Sequence, residues 1–128
     1  MKKLLVILLL LFPVHGAWAK IVHLQCTDNQ NSRNTFVIDL EKKTFTNSHG
    51  LRLRNVSITS DLFHAEAPLS TIMSLNKELE EEGKTIRAKK MVYIIYRSDG
   101  YYISRSYWSN GETFESTGYC KDITKKKF

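Results

Sequence analysis

A histidine and a carboxylate two residues apart are the strongest hint of reaction chemistry in this sequence. In His64-Ala65-Glu66, the alternation of a strand would place the imidazole and the carboxylate on one face, which is the beginning of a metal or acid–base site. The sequence supplies no third partner at a suitable spacing. We therefore expect no metal site, no cofactor and no catalytic centre, and we interpret His64 and Glu66 as surface residues.

Hydrolase chemistry has little further support in the residue pattern. A serine hydrolase would need a Gly-x-Ser-x-Gly elbow, and the sequence contains none. A small basic ribonuclease needs a base beside a cationic phosphate clamp. His64 or Glu66 could act as the base, and Arg97 and Arg105 have the residue type of the clamp. A secreted hydrolase such as a ribonuclease therefore stays as an alternative.

Aromatic residues are concentrated in the last third of the chain and are interleaved with arginines. Alternation along a strand predicts two faces, one with Tyr101, Arg105 and Tyr107 and the other with Tyr102 and Trp108. One face lines the core, so the other offers aromatic rings to a partner, and Tyr, Trp and Arg are enriched at binding hot spots. The predicted binding surface consists of Arg97, Tyr101, Tyr102, Arg105, Tyr107 and Trp108.

Two other interpretations of the aromatic residues remain open. Cross-strand aromatic pairs could simply hold a sheet together. Aromatic stacking with arginines also suits single-stranded nucleic acid. The formal net charge is +6, and +4 remains once Lys2 and Lys3 leave with the leader described next. This mild excess does not imply nucleic acid, and export makes that partner unsuitable, so we expect a protein or envelope component instead.

The first nineteen residues have the three parts of a secretory signal peptide. A basic start precedes a short apolar run and the small-x-small site Ala17-Trp18-Ala19. The run of about nine residues is well short of the roughly twenty that span a bilayer. We predict a cleaved signal peptide over residues 1–19, a single exported domain over residues 20–128 and no membrane span. An uncleaved N-terminal anchor is the alternative.

The chain has two cysteines, Cys26 and Cys120, one near each end of the predicted domain. An exported chain with an even number of cysteines is expected to pair them, whereas two ligands so far apart in sequence suit a metal site poorly. The bridge would close a loop of roughly 95 residues, for which the chain-entropy model gives at most ~4–5 kcal/mol of stabilisation. We predict a disulfide between Cys26 and Cys120.

Hydrophobic periodicity predicts a mainly β domain. A change of phase across Asn55 indicates a bulge or bend, and the apolar run over residues 91–96 indicates a central strand covered on both sides. Turns rich in Ser, Asn, Asp and Gly separate the last three strands, as expected for a meander. The predicted strands cover residues 21–26, 36–40, 44–46, 51–59, 61–66, 86–97, 101–108 and 112–121.

One segment has the pattern of a helix. Ile72, Leu75 and Leu79 follow the i, i+3, i+7 spacing, with Ser70 or Thr71 as the N-cap and Gly83 as the C-terminal stop. We expect the helix to lie with its apolar stripe on the sheet. The predicted fold is therefore an antiparallel meander or small open barrel with one amphipathic helix, tied by a terminal disulfide and monomeric or weakly dimeric.

The hairpin segment Ile95-Tyr96-Arg97-Ser98-Asp99-Gly100 and the later Gly118-Tyr119-Cys120 resemble a group of small exported proteins of Gram-negative bacteria and their phages. In that group an Ile-x-Arg-x-x-Gly hairpin precedes a closing Gly-x-Cys, and an early strand is similar to residues 36–40. The resemblance implies a β-meander with a disulfide and no known activity. It implies strand or loop where the helical pattern occurs.

A weaker resemblance is to the periplasmic inhibitors of c-type lysozyme, which are small disulfide-tied β-barrels. It is carried by Val22-His23-Leu24-Gln25-Cys26 and Tyr107-Trp108-Ser109-Asn110-Gly111, while the serine-glycine loop of those inhibitors has no clear counterpart. We therefore predict a periplasmic or secreted binding protein that acts without catalysis. Inhibition of a cell-wall hydrolase is the first alternative function, and a small secreted hydrolase is the second.

Overall fold

A computed structural model describes residues 21–124, which form one antiparallel sheet and one helix. The predicted signal peptide over residues 1–19 and the domain start at Lys20 lie outside the described residues. The helix α1 (Leu69–Glu81) lies between the fifth and sixth strands. The strands are β1 (Ile21–Asp28), β2 (Arg33–Asp39), β3 (Thr44–Asn47), β4 (Arg54–Ile58), β5 (Leu62–Glu66), β6 (Ala88–Tyr96), β7 (Tyr101–Trp108) and β8 (Thr113–Asp122).

The sheet curves into a nearly closed barrel because the meander meets itself. β1 pairs with both β2 and β8, so the strand order is β3-β2-β1-β8-β7-β6-β5-β4. Within residues 21–124, the one seam lies between β3 and β4. The seam is bridged at Thr46 and Arg52, and the Leu53 amide donates to the Phe45 carbonyl at 2.7 Å. The predicted mainly β fold with one helix is confirmed, as a nearly closed barrel.

Aromatic residues fill the inside of the barrel. The ring of Phe36 lies 5.0 Å from that of Phe45, 5.2 Å from that of Tyr93 and 6.2 Å from that of Tyr102, all between ring centroids. Tilted and edge-on contacts of this kind add to the free energy gained by burying the rings. The buried residues of this core are Leu24, Cys26, Phe36, Ile38, Phe45, Leu53, Phe63, Ala65, Ile95 and Tyr102.

The predicted disulfide between Cys26 and Cys120 is confirmed. The two residues lie directly opposite each other on β1 and β8, with their Cα atoms 3.9 Å apart. The bridge therefore joins the first and last strands, whose pairing makes all eight strands one continuous sheet. The sequence separation is 94, so most of the domain lies within the closed loop. A stable disulfide of this kind suits an oxidising compartment.

Two glycines allow the backbones of neighbouring strands to approach closely beside this bridge. A Cβ atom at Gly118 would collide with the carbonyl oxygen of Thr27, and one at Gly100 would lie 2.6 Å from the carbonyl oxygen of Cys120. Gly100 also has a φ of +78°, which favours glycine. These close approaches explain why glycine ends the segment Ile-x-Arg-x-x-Gly at Gly100 and begins the segment Gly-x-Cys at Gly118.

The predicted bulge at Asn55 is confirmed. The β4–β5 register shifts between Arg54 and Ser57, and Asn55 has a φ of 49°. Asparagine adopts this left-handed conformation more readily than most residues with a side chain. The bulge lies on β4, the strand that borders the seam.

The helix forms where the periodicity predicts it, but its N-terminus differs from the prediction. α1 begins at Leu69, Pro68 occupies the N-cap position, and neither Ser70 nor Thr71 caps the helix with its side chain. Proline starts the helix earlier because its fixed φ suits a helix start and it has no amide hydrogen to satisfy. The predicted stop is confirmed, since Gly83 has a φ of +77° and its amide donates to the Glu80 carbonyl.

α1 packs at one end of the barrel. Ile72 is buried with Ala67 and Ala88, and the side chain of Asn76 donates to the Ala88 carbonyl and accepts from the Ala88 amide. Ala67 follows β5 and Ala88 begins β6, so both mark the same end. The apolar stripe therefore contacts sheet residues as predicted, but the helix leaves the outer faces of the last strands uncovered.

The prediction that β6 is covered on both sides is wrong. Its inner side packs in the core through Tyr93 and Ile95. On its outer side Val92 is buried, but Ile94 is only half-buried and Tyr96 is 38% exposed. An apolar run in a strand therefore does not require a second covering layer here, and it leaves apolar side chains on the outside of the barrel.

Candidate functional site

The outer face of β6, β7 and β8 carries a continuous group of aromatic and aliphatic side chains. Register places Tyr101 beside Tyr119 and Ile94 beside Ile103. The ring of Tyr101 lies 6.1 Å from that of Tyr96 and 5.5 Å from that of Tyr119. We call these five residues the outer tyrosine patch. Tyr96 is 38% exposed and Tyr119 is 62% exposed, so the patch is accessible to a partner.

Tyr119 stands between two shallow hollows. One of about 430 Å³ is lined by Asn29, Tyr101 and Thr117, and one of about 380 Å³ is lined by Gln25, Arg33 and Lys121 on its other side. An exposed ring with hollows on both sides has the form of a binding hot spot, because hot spots pair projecting side chains with pockets that receive the side chains of the partner.

An ion pair and a lysine border the patch on the side towards the helix end of the barrel. The Arg105 Nε donates a hydrogen bond to the Glu115 carboxylate at 2.8 Å, and Arg105 Nη2 lies 2.7 Å from the same carboxylate. It also donates to the Tyr107 hydroxyl at 3.5 Å, and the hydrogen bonds to Tyr107 and Glu115 raise the pKa of Arg105. The Lys90 ammonium lies 5.0 Å from the centre of the Tyr107 ring. The patch thus has an apolar centre and a charged border.

The structure divides the six predicted surface residues among three places. Tyr101, Arg105 and Tyr107 share the outer face, as strand alternation predicts. Tyr102 is completely buried, so its assignment to a binding surface is wrong. Trp108 is half-buried: it packs against the residues that hold the helix, and its indole N–H donates to Ser106 Oγ at 2.9 Å.

Arg97 lies at the opposite end of the barrel from the helix. Its guanidinium carbon is 4.7 Å from the centre of the Phe63 ring, and Nη1 donates to the Thr59 carbonyl at 2.6 Å. Phe63 faces the core, so Arg97 covers the mouth of the barrel at that end. It does not contribute to the outer tyrosine patch.

Tyr102 faces inwards because its neighbours on the adjoining strands form the core. Its ring is nearly parallel to that of Tyr93, with the ring centroids 6.4 Å apart. Its hydroxyl accepts a hydrogen bond from Asn34 Nδ2 at 3.1 Å. Burial raises the pKa values of both Tyr102 and Tyr93. Both tyrosines therefore stay neutral to a higher pH than an exposed tyrosine does.

Of the residues considered for hydrolase chemistry, His64 and Glu66 share the outer face of β5 as predicted, but within residues 21–124 no hydrogen bond or ion pair links either of them to Arg97 or Arg105. His64 lies opposite Ser57 and Ile94 on the outer face. The Glu66 carboxylate accepts a hydrogen bond from Asn55 at 2.9 Å and lies 3.7 Å from the Arg54 guanidinium. Arg97 lies at the barrel mouth, away from both. Within residues 21–124, no group of three or more His, Cys, Asp or Glu side chains could hold a metal ion.

Of the five patch residues, the six-residue surface predicted from the sequence contains only Tyr101. Tyr96 and Tyr119 belong to the same aromatic-rich segment, and strand register would have placed them beside Tyr101.

No family model matches this chain, and no curated protein or solved structure matches it either. In the part of the chain that the structure describes, no helix is long and apolar enough to cross a membrane.

Proposed function

We propose that this chain is an exported protein, periplasmic or secreted, that binds a protein partner through the outer tyrosine patch and acts without catalysis. The observation that carries this proposal is the row of Tyr96, Tyr101 and Tyr119 on a sheet face that no other element of residues 21–124 covers. Single exposed apolar residues are common on proteins, but a contiguous group marks an interaction surface.

The shape and chemistry of the patch favour a protein over a small molecule. It lies on the convex outside of the barrel, whereas small ligands bind in concave sites. An apolar centre beside the Arg105–Glu115 ion pair resembles the core and rim of a protein interface. The hollows beside Tyr119 would receive side chains of the partner. An envelope protein with an apolar patch of its own is the occupant that fits.

Export is supported by two independent features. The first nineteen residues have the pattern of a signal peptide. The Cys26–Cys120 disulfide requires an oxidising compartment to persist. An envelope partner follows from that location, because a partner would have to be in the same compartment.

Site-specific photo-crosslinking tests the proposed surface. A photoreactive residue in place of Tyr119 should form a discrete adduct with a single envelope protein, whereas one at Met73, an exposed apolar position on α1, should not. With the crosslinked protein purified, Tyr101→Ser and Tyr119→Ser should each weaken its binding by about 1–2 kcal/mol. The matched control Met73→Ser should bind like the original protein.

The result that contradicts the proposal is also specific. If both tyrosine variants keep the original affinity, or if Met73→Ser loses as much as they do, the patch is not the binding surface. Circular dichroism of each variant should give a melting temperature close to that of the original protein, which separates lost binding from lost folding.

Inhibition of a cell-wall hydrolase remains the second candidate function. A barrel tied by a disulfide is the architecture that the resemblance to periplasmic inhibitors of c-type lysozyme implies. A turbidity assay of c-type lysozyme with increasing amounts of the protein tests this candidate. Unchanged lysis at a large molar excess would exclude it and leave the binding proposal intact.

A further inference from the structure

A polar cup lies at the same end of the barrel as the helix. Its volume is about 620 Å³, within the range of roughly 300–1,000 Å³ found for small-molecule sites. The cup belongs to the inside of the barrel, so it is separated from the outer tyrosine patch by the sheet itself. Its wall includes Asn34, Tyr93, Ser104, Ser106, Phe114 and Ser116.

The cup exists because small side chains occupy inward positions between larger ones: Ser104 and Ser106 lie between Tyr102 and Trp108 on β7, and Ser116 follows Phe114 on β8. Tyr102 is buried in the core, and the next inward positions on β7 are Ser104 and Ser106. Across the ladder, Ser104 faces Ser116 and Ser106 faces Phe114. A barrel interior is normally filled by side chains, so small hydroxyl residues at these positions leave space and make its wall polar.

Several hydroxyl groups in the cup have hydrogen-bonding capacity to spare. Within residues 21–124, neither the Tyr93 hydroxyl nor the Ser116 hydroxyl forms a hydrogen bond. Ser106 Oγ accepts from the indole of Trp108 at 2.9 Å, which leaves its own proton to donate. A hydroxyl group can donate once and accept twice, so these three side chains suit a ligand that itself carries hydroxyl groups.

Apolar surface lies beside these hydroxyl groups. Phe114 is 55% exposed at the lip of the cup, with its ring 6.3 Å from that of Trp108 and edge-on to it. The ring of Tyr93 is stacked on Tyr102 and forms part of the floor. An aromatic face carries partial negative charge and attracts the weakly positive C–H groups of a ligand.

The charged groups around the cup are mostly engaged elsewhere. Asp28 Oδ1 accepts from the amides of Gln30 and Ser32, and Glu115 is paired with Arg105 on the outside. Arg33 is the one cation among the described residues that line the cup. The residues that line the cup therefore include no cluster of cations that could bind an anion and no cluster of carboxylates that could bind a cation.

We propose that the cup binds a neutral saccharide. A sugar ring combines hydroxyl groups on its edge with C–H groups on its face, and it carries no charge. The hydroxyl groups of Tyr93, Ser106 and Ser116 bind the edge, and Phe114 covers the C–H face. This site is independent of the outer tyrosine patch, so the protein has two binding surfaces on opposite sides of the same strands.

The test is an NMR titration of the ¹⁵N-labelled exported protein with two uncharged trisaccharides. Triacetylchitotriose represents the amino sugars of cell-wall glycans, and maltotriose represents glucans. At least one should shift the amide signals of Ser104, Ser106 and Ser116 saturably at concentrations of up to ~20 mM, and which one does so identifies the source. Saturation by neither trisaccharide overturns the proposal.

Variants separate the cup from the rest of the protein. Tyr93→Phe removes one hydroxyl and keeps the ring, and Phe114→Ala removes an exposed ring, so both should fold. Each should weaken saccharide binding by at least ~5-fold, because each removes one contact to the ligand. Tyr119→Ser, on the outer tyrosine patch, should bind the saccharide unchanged. Unchanged affinity in both cup variants would overturn the proposal, whatever the outer patch binds.

Discussion

Tyr101 and Tyr102 are neighbours in the chain, yet they belong to different regions of the molecule. Tyr102 has no exposed surface, is stacked on Tyr93 and holds a hydrogen bond from Asn34. Tyr101 lies on the outside of the barrel between Tyr96 and Tyr119. The same residue type therefore stabilises the fold on one face and is free to contact a partner on the other.

The difference arises from closure of the barrel and not from any local property of the two residues. β7 pairs with β6 and β8, and the curvature of the whole sheet decides which face becomes the inside. On its other edge, β8 pairs with β1, and the disulfide between Cys26 and Cys120 fixes that pairing. An inward tyrosine meets Phe36 across the barrel, whereas an outward tyrosine meets only its neighbours on the same sheet face.

The largest expected effect is the loss of an inward ring. Tyr102→Ala should lower the free energy of unfolding by about 3–5 kcal/mol, because it leaves a cavity in the aromatic core. Tyr101→Ala should cost about 1 kcal/mol or less, since it loses only cross-strand contacts on the outer face. Urea denaturation, followed by circular dichroism, measures both.

A third variant keeps this comparison informative if Tyr102→Ala does not fold. Tyr102→Phe retains the ring and removes the hydrogen bond from Asn34, so its expected cost is about 1 kcal/mol. Equal losses for Tyr101→Ala and Tyr102→Ala would contradict the division between an inner face that stabilises the fold and an exposed outer face.

Much of the fold follows from local sequence patterns. Alternation predicts the strands, the phase change predicts the bulge at Asn55, and the spacing of Ile72, Leu75 and Leu79 predicts the helix. The pairing of Cys26 with Cys120 follows from their number and the expected export. These features depend on residues close in sequence or, for the cysteines, on there being a single possible intramolecular pairing.

The features that could not be predicted depend on contacts between distant strands. Alternation separates Tyr101 from Tyr102, but both faces carry aromatic residues, so the pattern does not tell which face is inside. Ser104, Ser106 and Ser116 alternate like residues of a solvent-facing side, although they line the inside of the barrel. Their position becomes clear only when the β7–β8 register and the closure by β1 are known.

Alkaline pH provides a second way to distinguish the inner tyrosines. Burial raises the folded-state pKa of Tyr102 above its ordinary value of 10.0, so above pH 10 the unfolded state loses a proton that the folded state keeps. Stability is therefore complete well below pH 10 and falls as the pH rises above 10, with a slope for this tyrosine that approaches about 1.4 kcal/mol per pH unit. Urea denaturation at a series of pH values between about 9 and 11.5 measures the slope.

The matched variants are Tyr102→Phe and Tyr101→Phe. The Tyr102→Phe variant has no hydroxyl to ionise at position 102, so its stability should fall less steeply above pH 10 than that of the original protein. The Tyr101→Phe variant keeps the buried hydroxyl of Tyr102 and should retain the original slope. If the two variants show the same pH dependence, the hydroxyl of Tyr102 is not shielded from water as its burial indicates.

The smallest expected effect concerns the border of the outer patch. The side chains of Arg105 and Glu115 are 31% and 43% exposed, so water screens their attraction although the contacts are short. A double-mutant cycle with Arg105→Ala and Glu115→Ala should give a coupling of about 0.2–1 kcal/mol, and less in high salt. A coupling above about 2 kcal/mol would show that this ion pair holds the fold together. A weak coupling would mean that Arg105 can exchange Glu115 for an acidic group of a partner at little cost, as a residue at the rim of a binding surface does.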